Sequence, residues 1–203
     1  MFDRILSAGH VWLTREDVDW VYIRINRCGS TWLTNYLKLN GFASGNPREL
    51  KNHHKLIVLR EPLERLISGI CSIDGLAPKF AMQPRKTLNY LITDPHTKPQ
   101  VEFLQDINLS NCTFIKYSPI WTENFFDFLN RKNTTMTIAS EDAWFNKPGV
   151  EQENEFTYID DNIKARFSLL QLIKDDQFLN KTVADYLEKD YKLYNSLEWY
   201  GTN

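Results

Sequence analysis

The feature of this sequence that most constrains its fold is a β-branched and aromatic run, Trp20 to Ile25 (WVYIRI), that ends in the polar turn Asn26-Arg27-Cys28-Gly29-Ser30. A helical pattern follows at once. In TWLTNYLKLNGF the residues Trp32, Leu33, Tyr36, Leu37 and Leu39 recur at helical spacing, Ser30 or Thr31 stands where a cap is needed, and Asn40-Gly41 marks the stop. Strand, polar glycine turn and helix is the order found in a phosphate-binding unit.

A second junction of the same kind comes next. Lys55 to Leu59 (KLIVL) is short and uniformly apolar, as expected of a strand covered on both faces, and Arg60 closes it. Pro62 suits a first helical turn, and Leu63, Leu66, Ile67 and Ile70 form the buried stripe of a helix from Pro62 to Cys71. Further on, a helix is expected near Arg85 to Ile92, and a third strand at Cys112 to Tyr117. A helix carrying Phe125, Phe126, Phe128 and Leu129 should follow, then a fourth strand at Thr134 to Ala139, and long helices over Ile163 to Ile173 and Phe178 to Leu197. Between Asp74 and Pro99 four of the eight prolines gather, which predicts loops and a natural place for an acceptor to bind.

With 203 residues and 42% hydrophobic content, one α/β domain covering 1–203 is the default. The formal net charge of −2 gives no global basic field, so bulk attraction to nucleic acid or to an anionic membrane is not indicated. Any anion site must be local. Three cysteines, Cys28, Cys71 and Cys112, without CxxC or Cys/His spacing argue against a disulfide framework or a structural zinc, and no metal site is expected. Early charges (Asp3, Arg4, Arg15, Glu16, Asp17) break up any signal-peptide core, and no apolar run is long enough to span a bilayer. A cytoplasmic location is the expectation.

In the first turn, Gly29 lets backbone approach an anion, Ser30 and Thr31 add hydroxyl donors, and Arg27 supplies a forked positive charge. The segment is not the kinase and ATPase loop G-x-x-x-x-G-K-[ST], because no Gly-Lys pair follows. Nor is it a C-x5-R phosphatase loop, since the sixth residue after Cys28 is Thr34. A plain strand-to-helix turn with a capping serine is the bland alternative. For Arg60 the bland alternative is pairing with Glu64, and for Ser68 close helix packing.

Taken together, Asn26-Arg27-Cys28-Gly29-Ser30-Thr31-Trp32 and Arg60-Glu61-Pro62-Leu63-Glu64-Arg65-Leu66-Ile67-Ser68-Gly69-Ile70 resemble the two nucleotide-binding segments of the sulfotransferases that use 3′-phosphoadenosine-5′-phosphosulfate (PAPS), in particular the carbohydrate sulfotransferase branch. Asp94-Pro95-His96-Thr97-Lys98-Pro99-Gln100 is similar to an H-x-x-P-Q segment of many members, and Leu187 to Leu197 to their closing helix. The resemblance implies a P-loop NTPase-like three-layer fold with a central, mainly parallel sheet flanked by helices. It implies that Arg27, Cys28, Gly29, Ser30, Thr31 and Trp32 hold the 5′-phosphosulfate and that Arg60 and Ser68 hold the 3′-phosphate, with 3′-phosphoadenosine-5′-phosphate (PAP) as product. The chain departs from the family at Arg27, where lysine is usual, and at Asn26, where proline is usual.

The implied reaction is in-line sulfuryl transfer to a hydroxyl acceptor, with a carbohydrate favoured by the branch. Arg27 would stabilise the leaving phosphate, and a general base would take the hydroxyl proton. Among His10, His53, His54 and His96, the favoured base is His96, whose loop is stiffened by Pro95 and Pro99 and which the resemblance puts near the acceptor. His53 and His54 precede the second strand, at its far end from Arg60, and Asp94 and Glu61 are carboxylate candidates of lower rank. Two other readings stay open: a P-loop-type small-molecule kinase, and a non-catalytic module that binds PAP or PAPS.

Overall fold

A computed structural model describes residues 11–91, 93–137 and 155–201. In chain order the elements are β1 (Trp12–Thr14), β2 (Trp20–Ile23), α1 (Ser30–Leu39), β3 (Ala43–Ser44), β4 (His54–Leu59), α2 (Pro62–Ile70), α3 (Leu76–Met82), α4 (Pro84–Leu91), β5 (Cys112–Lys116), α5 (Trp121–Arg131), α6 (Glu155–Asp175) and α7 (Gln177–Ser196). The chain divides into two compact units. One comprises the residues up to Arg60, Glu102–Asn146 and those from Ser196 on; the other comprises Glu61–Val101 and Lys147–Asn195.

The first unit is α/β, with one mixed five-stranded sheet in the order β3-β1-β2-β4-β5. β2 runs parallel to β4, with Trp20 opposite His54 and Ile23 opposite Ile57, and β4 runs parallel to β5, with Leu59 opposite Lys116. β1 is antiparallel to both β2 and β3. The sheet is therefore not mainly parallel, since half of its strand pairings are antiparallel. The reason lies in the connections: only Arg15–Asp19 separates β1 from β2, and so short a link can join antiparallel neighbours alone.

Every residue of β2 is buried, and its apolar run is continuous because both faces are covered. Trp20 meets Phe128 edge-on at 5.2 Å and donates its indole N–H to Thr134 Oγ1 at 3.0 Å. α1 and α5 join through an aromatic cluster in which Trp32 stacks on Tyr36 at 5.3 Å and meets Trp121 edge-on at 5.3 Å. Geometry of this kind adds about 0.5–1.5 kcal/mol per pair beyond the buried area.

The expected fourth strand does not form over Thr134–Thr137, and 138–139 lie outside the described residues, as does His10. β-branched residues made that stretch read as a strand. Its polar groups are met elsewhere: Thr134 N–H donates to Leu129 O at 2.9 Å and Thr137 N–H to Asn40 Oδ1 at 2.7 Å.

The second unit is helical. Leu66, Ile67 and Ile70 of α2, Phe80 of α3, Leu88 and Leu91 of α4, Leu169 and Ile173 of α6, and Leu179, Val183 and Leu187 of α7 form one apolar core. Glu61 caps α2 by accepting the Glu64 N–H at 2.7 Å, and Pro62 fills the first helical position. α3 was not anticipated: Leu76–Met82 lies in the proline-rich stretch that reads as loop, and it is held in place by burial of Phe80. No helix among the described residues is long and apolar enough to cross a membrane.

Candidate functional site

The parallel pairing of β2 and β4 puts their carboxyl ends side by side, and β2 opens there into the Asn26–Ser30 turn while β4 ends in Arg60. Open α/β sheets bind ligands at this edge. The turn itself is unusual. Arg27 has φ +69° and Gly29 φ +69°, so two residues around the buried Cys28 adopt the left-handed conformation. Gly29, not Ser30 or Thr31, is the N-cap of α1, and no side chain caps the helix. The hydroxyls expected to cap do not, because the left-handed glycine already turns the chain into the helix. A helix start leaves its first amides without intrahelical partners, and with the helix dipole these favour an anion.

Gly29 is required twice over. Besides its φ, a Cβ there would lie 2.8 Å from Trp121 Cζ2 and 3.0 Å from Tyr117 Cε2. Tyr117 follows β5 directly and also receives the Arg60 guanidinium over its ring, 5.0 Å from the centroid. One aromatic ring thus touches both the Gly29 turn and Arg60, which lie in the same unit. Trp32, by contrast, has its side chain in the aromatic core, so only its backbone is available at the turn. Ser30 is buried and Thr31 exposed.

His54 opens β4, six residues before Arg60, a span of about 20 Å at ~3.3 Å per residue. It is occupied structurally: its Nδ1 pairs with Asn111 Oδ1 at 3.2 Å, its Nε2 with Thr113 Oγ1 at 2.7 Å, and its ring stacks on Phe128. Burial lowers its pKa below the ordinary 6.5, outweighing the opposite influence of Asn111.

In the second unit, Ser68 is buried on α2, and Arg166 Nη2 of α6 donates to its hydroxyl at 3.3 Å. The Arg166 Nε is buried without a hydrogen-bond partner among the described residues. A guanidinium with an unused donor beside a serine hydroxyl is suited to a phosphate. Sequence reading did not single out Arg166.

The His96 loop is in the same unit. Asp94 Oδ1 accepts from the His96 amide at 2.7 Å and pairs with Nδ1 at 3.0 Å. In the tautomer that donates from Nδ1, Nε2 keeps its lone pair, and the ring is 41% exposed. Behind the ring, the loop rests on α2, where a Cβ on Gly69 would overlap His96 O and lie 2.8 Å from Thr97 Cγ2. Two buried charges also reach this loop, Arg65 of α2 and Asp190 of α7, each 1% exposed. Burial raises the Asp190 carboxyl above its ordinary value, against the lowering influence of the Val101 and Gln100 amides and of Arg65. Sequence reading did not single out Asp190 either, although its place in the apolar stripe Leu179, Val183, Leu187, Asp190, Tyr194 of α7 is a signal that could have marked it.

Glu61 and several tyrosine hydroxyls have structural partners. Glu61 accepts the Tyr191 hydroxyl at 2.5 Å as well as capping α2, Tyr186 donates to Thr97 O, and Tyr200 donates to Asp127. Cys28 is buried and Cys71 and Cys112 are half-buried, none of them in a disulfide among the described residues, and no three potential metal ligands gather there. Compared with models of known families, with characterised proteins and with solved structures, the chain matches none.

Proposed function

We propose that the protein is a sulfotransferase that moves a sulfuryl group from PAPS to a hydroxyl acceptor, a carbohydrate first among the candidates. The observation that carries this reading is the pairing of β2 with β4, which sets the left-handed Arg27–Gly29 turn and Arg60 on one sheet edge with Tyr117 against both. In this reading the turn and the first amides of α1 take the 5′-phosphosulfate, and Arg60, Ser68 and Arg166 take the 3′-phosphate. The finer fold assignment, a P-loop NTPase-like arrangement, belongs to the same proposal.

The acceptor oxygen attacks sulfur as the bond from sulfur to the bridging oxygen of the 5′-phosphate breaks. PAP leaves, and the acceptor proton passes to Nε2 of His96. Negative charge grows on the departing phosphate, where Arg27 and the α1 amides stabilise it electrostatically. The Asp94–Nδ1 hydrogen bond orients the base.

Calorimetry with PAP and transfer assays with labelled PAPS over a panel of hydroxyl compounds test the reading. Arg60→Ala and Ser68→Ala should weaken PAP binding at least tenfold, since hydrogen bonds to charged groups contribute about 1.5–3 kcal/mol each. His96→Ala should bind PAP as the wild type does and transfer nothing. Absence of PAP binding by the wild-type chain, or unchanged affinity in Arg60→Ala, rejects it.

A further inference from the structure

We infer that Arg65 and Asp190 are positioning residues, which act by fixing the backbone that carries His96; the inference rests on the sulfotransferase reading. Charged side chains this deeply buried are rare and must be compensated by hydrogen bonds. Here much of the compensation comes from the main chain of a single loop, with the Gln100 side chain and the charge of Arg65 also acting on Asp190. The Arg65 fork donates from Nη1 to Lys98 O at 2.6 Å and from Nη2 to Pro95 O at 3.3 Å, so one guanidinium spans the turn on which His96 stands. Asp190 accepts from the amides of Gln100 and Val101, each at 2.8 Å.

The arrangement has a sense of direction. Carbonyls face the cation and amides face the anion, so a reversed peptide would set a carbonyl oxygen against a carboxylate. Two more contacts oppose sliding: Tyr186 donates its hydroxyl to Thr97 O at 3.3 Å, and the fully buried Thr97 donates to Leu91 O at 2.8 Å. Loops whose only task is connection run over the surface with solvated backbone. This one is anchored at Pro95, Thr97, Lys98, Gln100 and Val101, while the His96 ring itself is fixed to Asp94 and open on its far side. A base must stand within hydrogen-bond reach of the proton it takes, and a displacement of about 1 Å lowers rates by ~10²-fold.

The test compares Arg65→Lys, Asp190→Asn and Tyr186→Phe in steady-state transfer from PAPS, with PAP affinity by calorimetry and the folded fraction by near-ultraviolet circular dichroism. Lysine keeps the charge of Arg65 but cannot fork, and asparagine keeps the volume of Asp190 but turns an amide group on an amide. Each should lower kcat per folded molecule by about 30-fold or more, and Tyr186→Phe by about three- to tenfold, with PAP Kd and the KM for PAPS within about twofold of wild type. Should Arg65→Lys not fold, the two milder variants carry the test. Unchanged kcat in the folded variants overturns the inference, as does PAP affinity that falls in step with kcat. A wild-type chain that neither binds PAP nor transfers from PAPS instead sinks the sulfotransferase reading itself.

Discussion

Gly29→Ala probes the turn at the sheet edge through two effects whose sizes follow from the geometry. At φ +69° an L-residue is destabilised by about 1–2 kcal/mol relative to glycine. The added Cβ would stand 2.8 Å from Trp121 Cζ2 and 3.0 Å from Tyr117 Cε2, whereas carbon atoms pack best at roughly 3.5–4.0 Å. The indole must therefore retreat by about 0.7 Å or more. It has little room to do so, because Trp121 is buried and held by Trp32 at 5.3 Å and by Tyr117 at 5.5 Å. Overpacking of this kind destabilises by about 1–3 kcal/mol, so the total is about 2–5 kcal/mol.

Urea unfolding at unchanged m-value measures that total, and a double-mutant cycle with Trp121→Leu separates its parts. With the indole gone, the Trp121 share of the overlap should vanish, leaving the about 1–2 kcal/mol of the backbone conformation and the remaining contact with Tyr117 Cε2. PAP affinity should fall in Gly29→Ala in either background, because the turn that presents the α1 amides has moved. A destabilisation below about 0.5 kcal/mol, or one that ignores the residue at position 121, would refute the packing of the rings on the turn.

Four other outcomes are expected. Gly69→Ala pushes a Cβ into His96 O and Thr97, so kcat should fall by about 10–100-fold while PAP affinity holds, as read from steady-state kinetics and calorimetry. Arg166→Gln should weaken PAP by tenfold or more yet leave adenosine 5′-phosphosulfate, which lacks the 3′-phosphate, unaffected; equal losses for both nucleotides would remove Arg166 from the phosphate site. For His54 the folded pKa lies below 6.5, so the unfolded chain binds the proton first: its contribution to stability is full above pH 6.5 and is lost as pH falls through the folded pKa. Urea titrations from pH 7.5 down to 5 should show this decline in wild type and a flatter profile in His54→Gln. Arg27→Gly relieves a left-handed arginine and should raise stability by up to about 1 kcal/mol while transfer collapses.

What could be read from the sequence is what short-range chemistry decides. β2, β4, β5, α1, α2, α5 and α7 fall close to where apolar periodicity, Pro62 and Asn40-Gly41 put them, because each signal lies within its own element. β1 and β3, of three and two residues, are too short to show any period and exist only through pairing with their neighbours. The misread Thr134–Thr137 has the composition of a strand, but its partners are a helix end and Asn40, nearly a hundred residues away. The same holds at the site. Arg27, Gly29, Arg60, Ser68 and His96 stand out as residue types in a pattern, whereas Tyr117, Arg166 and Asp190 take their roles from contacts across 57, 98 and 90 residues.

Backbone strain separates the first turn from an ordinary connection. Two non-glycine residues among those described have positive φ, Arg27 at 69° and Asn133 at 49°. Asn133 follows α5, where Thr134 N–H closes back onto Leu129 O, so it is a left-handed helix end of the type asparagine tolerates best after glycine. No helix ends at Arg27, and arginine has no short polar arm with which to offset the conformation locally. Glycine would take the position without strain, yet the chain sets there a side chain whose value is its fixed charge and forked donors. Strain of that kind persists where the surroundings hold it and tends to mark sites of function. Here the surroundings are the Tyr117 and Trp121 rings that close over Gly29 two residues on. The glycine that admits those rings and the arginine held against its own preference thus belong to one turn, and in the proposed reading that turn supplies the positive charge at the start of α1.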